Sequence, residues 1–265
     1  MWVKKSSRNA RERGDFSIVN SETSKIIWDL NSSWWSKNVE NGKFPEYSEI
    51  IIPLSKELFT QKKLVLDLGT GSGILAKRIM DNLATNVVGL DLSLVQLQKA
   101  TENNSGPSYL QSNSEELPFK SAVFDGILAS MVLEHVGSLQ DTVNEIARVL
   151  QPGGLFVAVM NHPVFQTPGS GPVRSHNLDL DGMGWQVGNY LIESSEIEEI
   201  SEGIHILYEH RTISTYLNTF LENGFQLQRV LEPSLIDKNE VAGNKQGNRA
   251  IPRLLVVILE KPLFA

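Results

Sequence analysis

The 265-residue chain has no cysteine, which excludes disulfide frameworks, zinc–thiolate centres and thiol nucleophiles. That absence leaves the compartment open, because cysteine-free chains occur in oxidising and reducing settings alike. Long apolar runs are missing too. None reaches the ~18 residues of a membrane span, and the longest candidate, Leu254 to Leu259, is strand-sized. No apolar stretch follows the basic N-terminus to act as a signal sequence, so a cytoplasmic location without membrane contact is the expectation. Basic charge is scarce. Lys and Arg number 24 against 31 Asp and Glu, for a net charge of −7. This disfavours a broad nucleic-acid or anionic-lipid surface. Only residues 1–14 reverse the balance, with Lys4, Lys5, Arg8, Arg11 and Arg13 against Glu12, and they read as a flexible, solvated tail.

What is present suits one globular domain over 15–265. Apolar residues make up 41% and charged residues 21%, near globular averages. Residues 15–60 read as a helical cap: Ile26, Ile27, Leu30 and Trp34 recur at helical spacing, as do Tyr47, Ile50, Ile51, Leu54 and Leu58. Over 61–160 the pattern alternates. Strand-like Leu64–Leu68, Val87–Asp91, Ser108–Leu110, Phe124–Ala129 and Leu155–Met160 are separated by helical spacings, the last helix stopping at Pro152-Gly153-Gly154. Residues 161–211 break this rhythm and read as a lid or acceptor-binding insertion. In 212–265 an amphipathic helix ends at Gly224, and two strands follow around the 234–250 loop. Alternation of this kind implies a doubly wound, Rossmann-like α/β fold. Its sheet is expected to have seven strands, mostly parallel, with an antiparallel hairpin at one edge and the insertion after the fifth strand.

A glycine loop, Gly69-Thr70-Gly71-Ser72-Gly73, joins the first strand to the first helix of the alternating region. Glycine permits tight turning and close ligand approach, and the helix amides beyond it favour an acceptor group. Asp91 ends the second strand twenty residues after Gly71. A carboxylate at that spacing can accept hydrogen bonds from a ribose diol. Together these features indicate a nucleoside-type ligand.

The stretch Val65-Leu66-Asp67-Leu68-Gly69-Thr70-Gly71-Ser72-Gly73 resembles the first motif of class I S-adenosylmethionine-dependent methyltransferases. Val88-Gly89-Leu90-Asp91-Leu92-Ser93 resembles the second, Glu115–Phe119 with Phe124-Asp125 the third, and Glu145–Gly154 the turn before the fifth strand. The likeness is strongest to the ubiquinone-biosynthesis type of small-molecule methyltransferase. It implies S-adenosyl-L-methionine as cofactor, with S-adenosyl-L-homocysteine as product. Asp67, Gly69 and Gly71 would line the methionyl end, Asp91 would hold the ribose, and Leu92 would pack on adenine. Asn113 and Ser114 stand where the family commonly has an adenine-contacting Asp-Ala pair. Ser130 would face the methionyl group.

In similar enzymes a histidine at the position of His135 serves as general base, and His135 is the catalytic candidate here. Trp35, His162, Tyr190 and His210 are candidates for the acceptor pocket. Some relatives carry a Glu-x-x-Glu-His metal cluster; Met131 replaces its first acid, leaving Glu134 and His135, too few for a metal site. Ala129-Ser130-Met131-Val132 replaces the Asn/Asp-Pro-Pro-Tyr/Phe of amino-methylating enzymes. The expected acceptor is a small or medium, partly hydrophobic molecule, or a short peptide-like one, methylated on a hydroxyl or carboxylate oxygen. A carboxylate would want a cation such as Arg174 or Arg211. Methylation at nitrogen or carbon, a non-catalytic cofactor-binding module and an NAD-dependent oxidoreductase are the alternatives. Oligomeric state is not legible.

Overall fold

The computed structural model describes residues 21–83, 85–174, 183–233 and 251–263. The tail at 1–14, His176, the Arg174 side chain and the loop at 234–250 lie outside the described residues.

Helix α1 (Ser21–Glu40) comes first. A π-helical turn at Tyr47–Ile51 runs into α2 (Ile52–Phe59), with Pro53 at its second residue. The alternating region then gives β1 (Leu64–Leu68), α3 (Ile74–Leu83), β2 (Asn86–Asp91), α4 (Leu94–Asn103) and β3 (Ser108–Gln111). It continues with β4 (Phe124–Ser130), α5 (Leu139–Val149) and β5 (Leu150–Asn161). After the short α6 (Pro163–Gln166) come two hairpins, β6 (Gly171–Arg174) with β7 (Met183–Gln186) and β8 (Ser194–Ser201) with β9 (Ile204–His210). Helix α7 (Ile213–Glu222) and strands β10 (Gln226–Leu231) and β11 (Leu254–Glu260) finish the fold.

The seven-stranded sheet has the order β10-β11-β5-β4-β1-β2-β3. Strands β1 to β5 pair in parallel, and β11 runs antiparallel to both β5 and β10. Chain order reverses between β1 and β4, and open α/β sheets bind ligands beyond the strand ends at such a point. Both faces are buried, which explains the uninterrupted apolar strands. On one face Phe156 packs edge-on against Phe220 of α7, with Val143 and Ile146 of α5 alongside. On the other, Phe59 of α2 and Leu75 and Ile79 of α3 cover Val65, Leu128 and Ile258. Among the described residues no helix is long and apolar enough to cross a membrane.

Three local expectations are corrected. Helix α5 already ends at Val149, and β5 begins at Leu150. Pro152-Gly153-Gly154 is a bulge inside that strand, where Gly153, at φ 74°, donates to the Lys261 carbonyl and the Lys261 amide donates to Gly154. The insertion holds a helix and two hairpins rather than irregular loop. Finally, α1 exposes Ile26 and Leu30 among the described residues, and buries Ser24, Asn31, Ser32 and Ser36. Hydrogen bonds draw that polar face inward. The Ser36 hydroxyl lies 3.1 Å from Gln96 Oε1, Asn31 Nδ2 donates to the His205 carbonyl, and Ser93 Oγ donates to Asp29.

Candidate active site

The glycine loop leaves β1 with Gly69, Gly71 and Gly73 at φ 70°, 55° and 80°. Side chains rarely adopt this left-handed region. Gly69 is also sterically closed: a Cβ there would lie 2.6 Å from Val132 Cγ2. The loop is strapped to β2. The amides of Gly69 and Thr70 donate to the Leu90 carbonyl at 2.8 and 2.9 Å, and the Gly71 amide donates to Asp91 Oδ2 at 2.8 Å. Asp91 Oδ1 accepts the Ser93 amide at 2.8 Å, and burial pushes this carboxyl up to about 6. Asp67 is 1% exposed and accepts the Thr70 hydroxyl at 2.7 Å. Burial, with the Asp91 charge adding to it, pushes Asp67 up to about 7. Two carboxylates whose charges act on each other favour a cation nearby.

Beside this loop lies a cleft with about 1030 Å³ of empty space, part of it open to solvent. Gly69, Gly71, Asp91, Leu92, Asn113 and Ser114 line it. Asp67 sits behind the loop, bonded to its Thr70. Asn113 Oδ1 accepts the Glu115 amide at 3.1 Å, and Ser114 Oγ is 3.2 Å from the Thr142 hydroxyl. Ser130 and His135 also line the cleft, as do Trp28 and Trp35 of α1 and Tyr47 of the π-helical turn. The Ser130 hydroxyl is buried and has no hydrogen-bond partner among the described residues. A buried polar atom without a partner, on a residue that lines a cleft, is suited to a ligand's complementary group.

Met131 follows Ser130 at φ 57°, an uncommon conformation for a side-chain-bearing residue. Its amide donates to the Val159 carbonyl at 2.7 Å, and the chain turns out of β4 into a 3-10 turn, Leu133–His135. This turn brings His135 to the cleft. Its Nδ1 is hydrogen-bonded to the Leu207 carbonyl on β9. A carbonyl only accepts, so Nδ1 carries the proton and Nε2 of the neutral ring keeps its lone pair. Trp28 packs edge-on against this ring, with centroids 5.1 Å apart.

His162, Tyr190 and His210 are not in the cleft wall. His162 caps α6, its Nδ1 accepting the Val164 amide at 3.3 Å while Nε2 meets Glu232 Oε1 at 2.8 Å. His210 Nε2 donates to the Tyr190 carbonyl at 2.9 Å, and the Tyr190 hydroxyl accepts the Ile213 amide at 2.8 Å. These contacts stitch the insertion to α7. Arg211 also lies outside the wall, its guanidinium directed at backbone carbonyls. Tyr47 is the wall residue that sequence reasoning placed elsewhere, since its spacing with Ile50 and Ile51 reads as core. Burial, with Asp67, Glu134 and Glu46 nearby, pushes its phenol upward, so it stays a donor. Among the described residues no cluster of acids and histidines could hold a metal ion.

Comparison with known proteins fits this geometry. Residues 66–158 match a family described as a methyltransferase domain. The chain is similar to the O-methyltransferase rstn1 of Aspergillus nomiae, 31% identical over 158 residues that cover 52% of this chain and 68% of that protein. It also superposes on the crystal structure of a Listeria monocytogenes protein assigned to the S-adenosylmethionine-dependent methyltransferases. The TM-score is 0.64 and the identity 27%, over 78% of this chain and 95% of that one. The chain belongs to the class I S-adenosylmethionine-dependent methyltransferases.

A further methyltransferase relative is the malonyl-[acyl-carrier protein] O-methyltransferase of Enterobacter lignolyticus, 37% identical over 91 residues. That match covers 34% of this chain and 36% of the relative, so the chain spans little more than a third of its length. The cleft fits the methyltransferase cofactor, S-adenosylmethionine. It offers a left-handed glycine loop that admits close approach, the Asp91 carboxylate that would meet a ribose, the Asp67 charge behind the loop, and a Ser130 hydroxyl with no partner among the described residues.

Proposed function

We propose that the chain transfers a methyl group to a hydroxyl oxygen of a small or medium, partly hydrophobic acceptor. The observation that carries this reading is the tautomer of His135. With Nδ1 committed to the Leu207 carbonyl, the ring presents a basic Nε2 at a cleft shared with the unpartnered Ser130 hydroxyl. Bound S-adenosylmethionine would supply an electrophilic methyl group on a sulfonium. Asp91, Asp67 and the glycine loop would hold it, with Leu92, Asn113 and Ser114 around its base. His135 Nε2 would take the acceptor's proton, leaving an imidazolium whose Nδ1–H stays on the Leu207 carbonyl. Trp28 and Trp35, edge-to-face at 5.7 Å, would exclude water and pack on the acceptor. Positioning of the two reactants supplies most of the remaining acceleration.

A hydroxyl is preferred over a carboxylate because Arg211, the described cation considered for that role, is committed to main-chain carbonyls. Relatives are named both as O-methyltransferases and as C-methyltransferases, so the choice of oxygen rests on His135. The test has two steps. Calorimetry with S-adenosylhomocysteine and with NADH should show binding of the first alone. Incubation with methyl-labelled cofactor and a metabolite extract should then yield a labelled ether. A labelled ester, amine or C-methyl product would refute the hydroxyl assignment, and no labelled product at all would refute catalysis.

A further inference from the structure

The turn that carries His135 is held from the insertion. Arg211 follows β9 directly and is 8% exposed. Its Nη1 donates to the Leu133 carbonyl at 3.0 Å, and its Nη2 donates to the carbonyls of Val136 and Gly137 at 2.7 and 2.9 Å. These three oxygens bracket His135 in sequence. A planar guanidinium with donors in a rigid fork can fix all three at once, whereas a flexible ammonium cannot. Four residues earlier on the same stretch, the Leu207 carbonyl holds His135 Nδ1. One segment, 207–211, therefore fixes both the backbone of the turn and the ring it presents.

The surroundings hold the clamp in place. The Glu193 carboxylate lies near Arg211 and accepts the Thr212 amide at 3.0 Å and the Thr215 hydroxyl, anchoring the start of α7. Tyr216 of α7 lies near Arg211 and is itself buried. Glu134, inside the clamped turn, accepts the Asn161 amide at 3.1 Å and its Nδ2 at 3.2 Å, tying the turn to the end of β5 as well. Turn, insertion and sheet thus meet at one buried cation.

We infer that Arg211 is a positioning residue for His135: by gripping the carbonyls of Leu133, Val136 and Gly137 it keeps the ring on the Leu207 carbonyl, with Nε2 as the basic nitrogen. The inference rests on the reading of His135 as the base. It adds that the conformation of the β8–β9 hairpin and the tautomer of the base are one coupled unit. An insertion displaced from the turn removes the acceptor that holds the proton on Nδ1.

The experiment reads the ring directly. Long-range proton–nitrogen NMR on the full chain, labelled at histidine and assigned with His135→Gln, reports which ring nitrogen is protonated in the neutral form. The wild type should show Nδ1 protonated and Nε2 bare. Arg211→Gln should show a mixture of tautomers, with Arg211→Lys intermediate, while S-adenosylhomocysteine affinity stays within about twofold of wild type in folded variants. If Arg211→Gln does not fold, Arg211→Lys decides. An unchanged tautomer in the folded variants overturns the inference. With a product-forming acceptor in hand, Arg211→Lys should lower kcat at least tenfold in the wild type and have no further effect in His135→Gln. Equal losses in both backgrounds would show that Arg211 does not act through His135. Undiminished turnover in His135→Gln, with the tautomer shift present, would instead sink the base assignment and leave the clamp standing.

Discussion

Asp67→Asn separates what this carboxylate does for folding from what it does for binding. In the folded chain its carboxyl titrates at about 7 against an ordinary 3.8, because it is buried behind the glycine loop. A carboxyl raised in this way binds its proton more tightly when folded. It therefore costs the fold nothing below its ordinary value. The cost grows as pH climbs from about 4 to 7 and is complete above that. At 1.36 kcal/mol per pH unit the full cost is about 4 kcal/mol. Asparagine keeps the Thr70 hydroxyl contact through Oδ1 but replaces the second carboxyl oxygen with an amide nitrogen that cannot accept, a loss of about 1–2 kcal/mol. The ligand-free variant should then be about 2 kcal/mol more stable than wild type at pH 8, and about 1–2 kcal/mol less stable at pH 4. Urea denaturation at both pH values would show the two stability profiles crossing. The same variant should bind S-adenosylmethionine at least tenfold more weakly at pH 8 by calorimetry. Parallel profiles, or undiminished affinity for that cation, would refute the claim that Asp67 is a strained charge kept for a positive ligand.

Three further outcomes are expected. Gly69→Ala puts a Cβ 2.6 Å from Val132 at φ 70°, so it should cost about 1–3 kcal/mol in denaturation and weaken S-adenosylhomocysteine binding at least tenfold. His135→Gln should lower kcat about 100-fold or more with cofactor affinity nearly unchanged, as steady-state kinetics and calorimetry would report. Glu145 pairs with Arg148 at 2.7 Å and accepts the Leu117 amide, and the guanidinium holds its carboxyl below the usual range. Its contribution is present above pH 4.5 and lost as pH falls through the depressed value. Glu145→Gln should therefore cost about 1–2 kcal/mol at pH 7, and progressively less as pH falls below 4.5, in a denaturation series.

The alternating half of the fold was legible because its signals are local. Strands buried on both faces read as apolar runs such as Phe124–Ala129, and a left-handed turn demands glycine at 69, 71 and 73. Pro152-Gly153-Gly154 misled because a bulge inside a strand uses the same residues as a helix stop. The hairpins of the insertion were hidden by composition: Ser194–Ser201 is rich in serine and glutamate, with few residues to mark an inward face. At the site, sequence order located His162 and His210 beyond strand ends but could not say where their rings point. One is taken by a helix cap and a glutamate, the other by the Tyr190 carbonyl. His135 reaches the cleft because of a backbone turn at Met131 that no composition rule announces.

The polar inner face of α1 has a consequence for how anything gets in. Trp28 and Trp35 shield the cleft, yet the helix bearing them is moored by Ser24, Asn31, Ser32 and Ser36, which bury little oil. Segments with few apolar anchors open at free energies well below that of global unfolding. Water can replace a hydroxyl's partner the moment it lets go, so these polar anchors resist opening less than the rings of Trp28 and Trp35, which pack on His135 and Phe44. The rings over the cleft are thus carried by a helix whose buried side chains are hydroxyls and an amide.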